Sequence, residues 1–172
     1  MKKEASSAKM LAVLTGISLL SAAVLGYIYI STYDKIEENR QAQIQEAVYA
    51  VLPGITDYEE IQREPLTFKG EKDGQTVGYA VLAQGMGFQG NIVLMAGIDA
   101  ELENLTGVMI LETAETPGLG DRIRTEEYLG QFRGLDIKRS DISVDTITGA
   151  TLSSEAVEKI VSRAVRYAQN IH

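Results

Sequence analysis

The sequence has no cysteine, which excludes disulfides, thiolate metal sites, iron–sulfur clusters, a cysteine nucleophile and a lipidated N-terminal cysteine. Its one histidine is the last residue, His172, so a Ser-His-Asp triad, a haem ligand or a histidine zinc site would all rest on a chain end. Positive charge is also scarce: 16 Lys and Arg stand against 24 Asp and Glu, a formal net charge of −8. Lys2, Lys3 and Lys9 outweigh Glu4 at the start, so the rest of the chain is more acidic still. No basic face of the kind that phosphate contacts require is apparent, and nucleic acid is not an expected partner. There is no internal repeat and no low-complexity segment, and 172 residues suit one domain with an appendage.

What is present begins with an uncharged run, Met10 to Ile30, interrupted only by glycines and small hydroxyls. As a helix its 21 residues would be roughly 31 Å long, which matches the hydrocarbon core of a bilayer. Lysines precede the run and acidic residues follow it, so the positive-inside rule places the N-terminus in the cytoplasm and the body on the other side. Tyr27, Tyr29 and Tyr33 would lie at the outer interface. Ser21-Ala22-Ala23 also allows a cleaved signal peptide, but the apolar run continues past it to Ile30, which favours a retained anchor.

Residues Asp34 to Leu52 combine strong helix formers with apolar positions at Ile36, Ile44 and Val48, and stop at Pro53-Gly54. They predict a second helix, which either docks on the body or serves as a solvated spacer. Residues 55–65 are polar and read as loop. Leu66 to Lys69 and Gln75 to Ala83 flank Lys72-Asp73-Gly74, an Asp-Gly hairpin signal. Asn91 to Ile98 and Leu105 to Leu111 add two more strands, giving an antiparallel meander of about four. Arg122 to Phe132 predicts a short helix, Ile137 to Ile147 a loop and strand, and Ser154 to Ile171 a closing amphipathic helix with Ala156, Val157, Ile160, Val161, Ala164, Val165 and Ala168 on its core face.

Three stretches hold chemical interest. Gly85-Met86-Gly87-Phe88-Gln89-Gly90 contains GxGxxG, but it neither opens a helix nor sits in a βαβ unit, so a glycine-rich bend between strands is the sensible reading. Glu115-Thr116-Pro117-Gly118-Leu119-Gly120 forces a turn, and its glycines allow backbone N–H groups to approach a planar ring closely. Asp145-Thr146-Ile147-Thr148-Gly149-Ala150-Thr151 leads through Leu152, Ser153 and Ser154 into the last helix. The start of that helix offers unpaired N–H groups and the positive end of the macrodipole to an anion, and a phosphate would suit it. On composition alone the same Ser/Thr cluster reads more readily as a helix cap than as a ligand site.

The order of residues Asp145-x-x-Thr148-Gly149-Ala150-Thr151 resembles the flavinylation motif of the FMN-binding domain family, found in RnfG-type and NqrC-type subunits of membrane redox pumps. The ETPGLG stretch, Glu115 to Gly120, is similar to that family's second signature, and Gly87-Phe88-Gln89-Gly90 to its Gly-aromatic-Gly segment. The resemblance covers roughly residues 65–170. It implies FMN attached to Thr151 through a phosphoester bond, with Thr148, Gly149, Ala150, Leu152 and Ser153 around the attachment point. Glu115, Thr116, Gly118, Leu119 and Gly120 would line the flavin, and Asp145, with Thr148, would serve recognition by the flavin transferase.

The fold class that follows is α+β: an N-terminal transmembrane helix and one FMN-binding domain with an antiparallel sheet flanked by helices. The expected organisation is residues 1–9 cytoplasmic, 10–30 spanning, 31–64 a connecting helix and loop, and 65–172 an extracytoplasmic FMN-binding domain on a bacterial inner membrane. The implied function is that of an electron carrier in an Rnf-type ferredoxin:NAD oxidoreductase, partnered by other subunits of that membrane complex and needing no general acid or base or metal of its own. An NqrC-type subunit, a tethered sensor domain without covalent flavin and a purely structural subunit are the alternatives.

Overall fold

The computed structural model describes residues 2–138 and 142–170. One continuous helix, α1 (Lys2–Val51), takes in both of the helices expected from the sequence. No proline or glycine lies between Tyr27 and Leu52, so nothing breaks the ladder where the apolar run gives way to the charged one. It is the one helix among the described residues long and apolar enough to cross a membrane, and its large apolar side chains from Met10 to Ile30 are exposed. A single N-terminal anchor fits that helix. The chain divides into two units, one up to Ala42 and one from Gln43 onward.

The second unit is built on a five-stranded antiparallel meander in the order β1 (Asp57–Arg63), β2 (Leu66–Lys72), β3 (Gln75–Met86), β4 (Asn91–Asp99) and β5 (Leu105–Thr113). The Asp-Gly turn forms as expected: Asp73 and Gly74 both take positive φ, and Lys72 pairs with Gln75. β1 corrects the sequence reading of residues 55–65 as loop. Its charged side chains hide the strand because it lies at the sheet edge, where polarity guards against pairing with another chain. Tyr58 packs edge-on to Tyr49 and Phe68.

The sheet is buried on both faces, with alternate residues going to opposite sides. Val81, Ala83, Leu94, Ala96, Val108 and Ile110 pack toward α3 (Thr151–Gln169) and its stripe of Val157, Ile160, Val161, Ala164, Val165 and Ala168. Ala80, Met95 and Phe68 face the end of α1, where Ile44, Ala47, Val48, Val51 and Leu52 are buried. Of the two sequence readings of residues 34–52, docking therefore holds from Ile44, while the residues before it are exposed. Gly97 and Gly107 are paired across β4 and β5, and their missing side chains let the last turn of α1 lie on the sheet. The Thr106 hydroxyl donates to the Val51 carbonyl, one of the helix-end acceptors left without an intrahelical partner.

Two further expectations are corrected. Arg122 to Phe132 is not one helix but a 3₁₀ turn (Gly120–Arg124), a single α turn, α2 (Glu126–Leu129), and another 3₁₀ turn (Gly130–Phe132). Thr125 interrupts the run with extended backbone. The strand expected within Ile137 to Ile147 does not form over 142–147; residues 139–141 lie outside the described residues, as does Ile171 at the expected end of the last helix. Side chains rather than a neighbouring strand satisfy that segment. Glu158 accepts from the Val144 N–H at 3.3 Å, Gln131 from Asp145 N–H at 2.8 Å, and Ser154 Oγ from Ile147 N–H at 3.2 Å.

A Cβ added at Gly97 would stand 2.2 Å from the Val51 carbonyl oxygen and 2.4 Å from Thr106 Oγ1. Gly97→Ala should therefore lift α1 from the sheet and cost about 1–3 kcal/mol, read as a lower urea midpoint for the full chain in detergent. An unchanged midpoint would show that the close approach is not tight.

Candidate functional site

Two similar turns prepare the site. In Thr116-Pro117-Gly118-Leu119 the Leu119 N–H donates to the Thr116 carbonyl at 3.1 Å, with proline second and Gly118 third at φ +76°. In Ile147-Thr148-Gly149-Ala150 the Ala150 N–H donates to the Ile147 carbonyl at 2.9 Å, and Gly149 is third at φ +84°. Positive φ at that third position is what a type II turn requires, and glycine takes it without strain. The Asp121 carboxylate holds the first turn by accepting from Gly118 N–H at 2.7 Å.

The second turn delivers the chain into α3, whose first residue is Thr151. No side chain caps this helix: its preceding residue is Ala150, which cannot. The cap reading of the Ser/Thr cluster is thus not what the residues do. Ser154 instead works from beneath, where it is fully buried, donating to the Ala150 carbonyl at 3.0 Å while accepting from Ile147 N–H. Tyr128, also buried, donates to the Ser154 carbonyl at 2.9 Å. Burial, with the negative charge of Glu158 adding to it, pushes the Tyr128 phenol well above its ordinary pKa. The anchored first turn leaves Thr151 and Leu152 exposed.

Glu115 joins the parts. It is buried, and its two carboxylate oxygens accept from Gln89 N–H at 3.1 Å and from the Ser153 hydroxyl at 2.8 Å. One carboxylate therefore connects the β3–β4 bend, the turn after β5 and the first turn of α3. Of the four polar or charged side chains that are buried among the described residues, Glu115, Ser153 and Ser154 are three. Polar burial concentrates here because hydrogen bonds are available to meet its desolvation cost.

The result is an open cleft of about 380 Å³ lined by Phe88, Gln89, Glu115, Thr116, Leu119, Gly120 and the run Gly149 to Ser153. That volume lies within the range of roughly 300–1,000 Å³ common for small-molecule sites. Phe88, Leu119 and Leu152 are exposed at 64%, 59% and 57%, an apolar rim that a buried core would not leave in water. The GxGxxG stretch is the bend expected, closed by Gly87 N–H to the Gly90 carbonyl at 2.7 Å.

The comparisons with known proteins agree with this geometry. Residues 87–166 match the FMN-binding domain family, a span that contains every residue lining the cleft. The G subunit of the ion-translocating oxidoreductase complex of Methanosarcina acetivorans is 34% identical over 174 residues, covering 92% of this chain and 93% of the relative. The chain belongs to the FMN-binding domain family, among its RnfG-type members. The G subunit of the proton-translocating ferredoxin:NAD(+) oxidoreductase complex of Clostridium ljungdahlii is 27% identical over 161 residues, covering 88% of this chain and 86% of that one. Among solved structures, Shewanella oneidensis NqrC shares the fold with a TM-score of 0.52 at 23% identity; the likeness covers 56% of this chain and about half, 52%, of that one.

The cleft suits the family's cofactor. An uncapped helix start offers N–H groups to a phosphate, the apolar rim offers contact to a ring system, and a Cβ at Gly118 or Gly149 would meet nothing within 4 Å, so both turns present open backbone. Thr116, Leu119, Gly120 and the residues from Gly149 to Ser153 are brought together on the cleft, whereas Gly118, Thr148 and Asp145 are not among its lining. Thr148 contributes its carbonyl, which accepts from Arg122 at 3.1 Å. Asp145 is held through its backbone by the Gln131 amide, and its own side chain is exposed.

Sequence reasoning missed Arg122, Gln89 and Ser154. Arg122 could have been suspected as a cation placed directly behind the ETPGLG turn in an acidic chain; Gln89 acts through its backbone, which no residue pattern reveals.

Two tests follow. A Cβ at Gly120 would sit 2.4 Å from one Glu115 oxygen and 3.0 Å from Ser153 Oγ, so Gly120→Ala should cost about 1–3 kcal/mol in urea unfolding. Because the folded pKa of Tyr128 is raised, its contribution to stability is complete below about pH 10 and is lost as pH climbs from there toward the folded value. The stability advantage of wild type over Tyr128→Phe should shrink above pH 10; a constant difference would remove Tyr128 from the alkaline limb.

Proposed function

We propose that this chain is the membrane-anchored flavoprotein component of an Rnf-type ferredoxin:NAD oxidoreductase, with FMN esterified through its phosphate to Thr151. The observation that supports it best is the meeting of both signature stretches at an uncapped helix start whose first residue, Thr151, is exposed and lines the cleft. Free N–H groups of Thr151, Leu152 and Ser153 and the helix dipole favour the phosphate, and the Arg122 guanidinium on the same turn adds positive charge. Leu119, Leu152 and Phe88 give apolar surface to the isoalloxazine, and Thr116 and Gly120 give backbone. When bound, FMN supplies reversible electron uptake and release; the protein supplies position and insulation and keeps a covalently held cofactor from being lost outside the membrane.

In this reading residues 1–9 are cytoplasmic, 10–30 span a bacterial inner membrane once, 31–64 connect, and the remainder lies on the extracytoplasmic side, as the lysines before the span favour. The exposed Asp145 carboxylate is available to a flavin transferase, and the other subunits of the complex give and take the electrons.

Thr151 has no capping role to lose, so Thr151→Val should leave stability within about 0.5 kcal/mol while abolishing the modification. The protein, made in a host with a flavin transferase, should give a fluorescent band after denaturing electrophoresis, and the variant none. A band that survives the substitution refutes attachment at Thr151, and a dark wild-type band refutes covalent flavin and leaves a reversible sensor domain.

A further inference from the structure

Glu115 is a buried carboxylate without a cation: among the described residues no ion pair includes it. Its two oxygens both accept hydrogen bonds, from Gln89 N–H and from Ser153 Oγ–H. Its position is fixed sterically as well. A Cβ at Gly87 would lie 2.2 Å from one oxygen and a Cβ at Gly120 2.4 Å from the other, so the carboxylate fills the space those glycines leave. It lines the cleft between the two signature turns. We infer that the fixed negative charge of Glu115 lowers the reduction potential of the flavin held in this cleft.

The physical reason is electrostatic. Reduction by an external donor adds two electrons and up to two protons to the oxidised ring. Whenever fewer protons than electrons are taken up the ring gains negative charge, and a nearby carboxylate in a poorly solvated place opposes that gain. The carboxylate acts on the ring through space, and the effect needs no direct hydrogen bond to it. Ser153 on α3 and the bend at Gln89 hold it still, which keeps the field the same through successive reductions.

The inference rests on flavin occupying this cleft, and its failure is separable from failure of that reading. The full-length protein is made with a flavin transferase, its flavin content is read by intact mass, and its midpoint is titrated with dithionite at pH 8. Absence of flavin from wild type would defeat the functional proposal itself. Glu115→Gln keeps size and hydrogen-bonding capacity but removes the charge; it should load flavin and raise the midpoint by at least about 30 mV, equivalent to a tenfold change in a two-electron equilibrium. Glu101→Gln, which removes a charge on the exposed β4–β5 turn, should leave the midpoint unchanged. A loaded Glu115→Gln protein at the wild-type potential overturns the inference. If that variant does not load, Glu115→Asp decides: it keeps the charge and loses the reach, so a potential close to wild type supports the inference and a rise of about 30 mV or more overturns it. Failure of both variants to hold flavin would make Glu115 a structural brace only, and would overturn it too.

Discussion

The start of α3 is held by its underside, and the rest of the site depends on that constraint. A helix beginning must do something with its first N–H groups, and most do it with a capping side chain. Here Ala150 occupies the capping position, and the nearby hydroxyls are engaged elsewhere: Ser153 on Glu115, Ser154 on the backbone of the incoming turn. Ile160, Val161 and their neighbours fix the helix body on the sheet, and Tyr128 fixes its first turn. The outward side of that turn is therefore rigid and unsatisfied at once, which are the two properties an anion site needs.

The sheet explains why the two signature turns meet although they are some thirty residues apart. β5 ends at Thr113 and hands the chain straight to the Glu115 turn. Short helical turns follow, and α3 returns across β3 and β4. Glu115 closes the circuit to the β3–β4 bend. Three segments distant in sequence thus share one carboxylate, so disturbance at Gly87 or Gly120 reaches the helix start.

Much of this was legible beforehand, for identifiable reasons. The Asp73-Gly74 hairpin, the central strands and the core stripe of α3 follow from turn chemistry and periodicity, which are local. β1 was not legible because an edge strand under solvent carries the charges of a loop. The break between two expected helices was not real because nothing in Ser31 to Tyr33 opposes helix. Residues 142–147 looked like a strand because they are apolar at Ile142, Val144 and Ile147, yet the N–H groups of Val144, Asp145 and Ile147 go to Glu158, Gln131 and Ser154 instead of a neighbouring strand. In the site, the two signatures pointed to the stretches that line the cleft, while the Glu115–Ser153 bond and roles played through backbone, such as Gln89 N–H and the Thr148 carbonyl, were not visible.

The central claim is that one hydroxyl, at the first residue of α3, bears the cofactor. Proteolysis of the protein from its native membrane, followed by fragmentation of the peptide that contains residues 142–159, locates any modification among Ser143, Thr146, Thr148, Thr151, Ser153 and Ser154. The expected result is one FMN, attached at Thr151 and absent from the other hydroxyls of the peptide. An unmodified peptide, or FMN on a different hydroxyl, would contradict it.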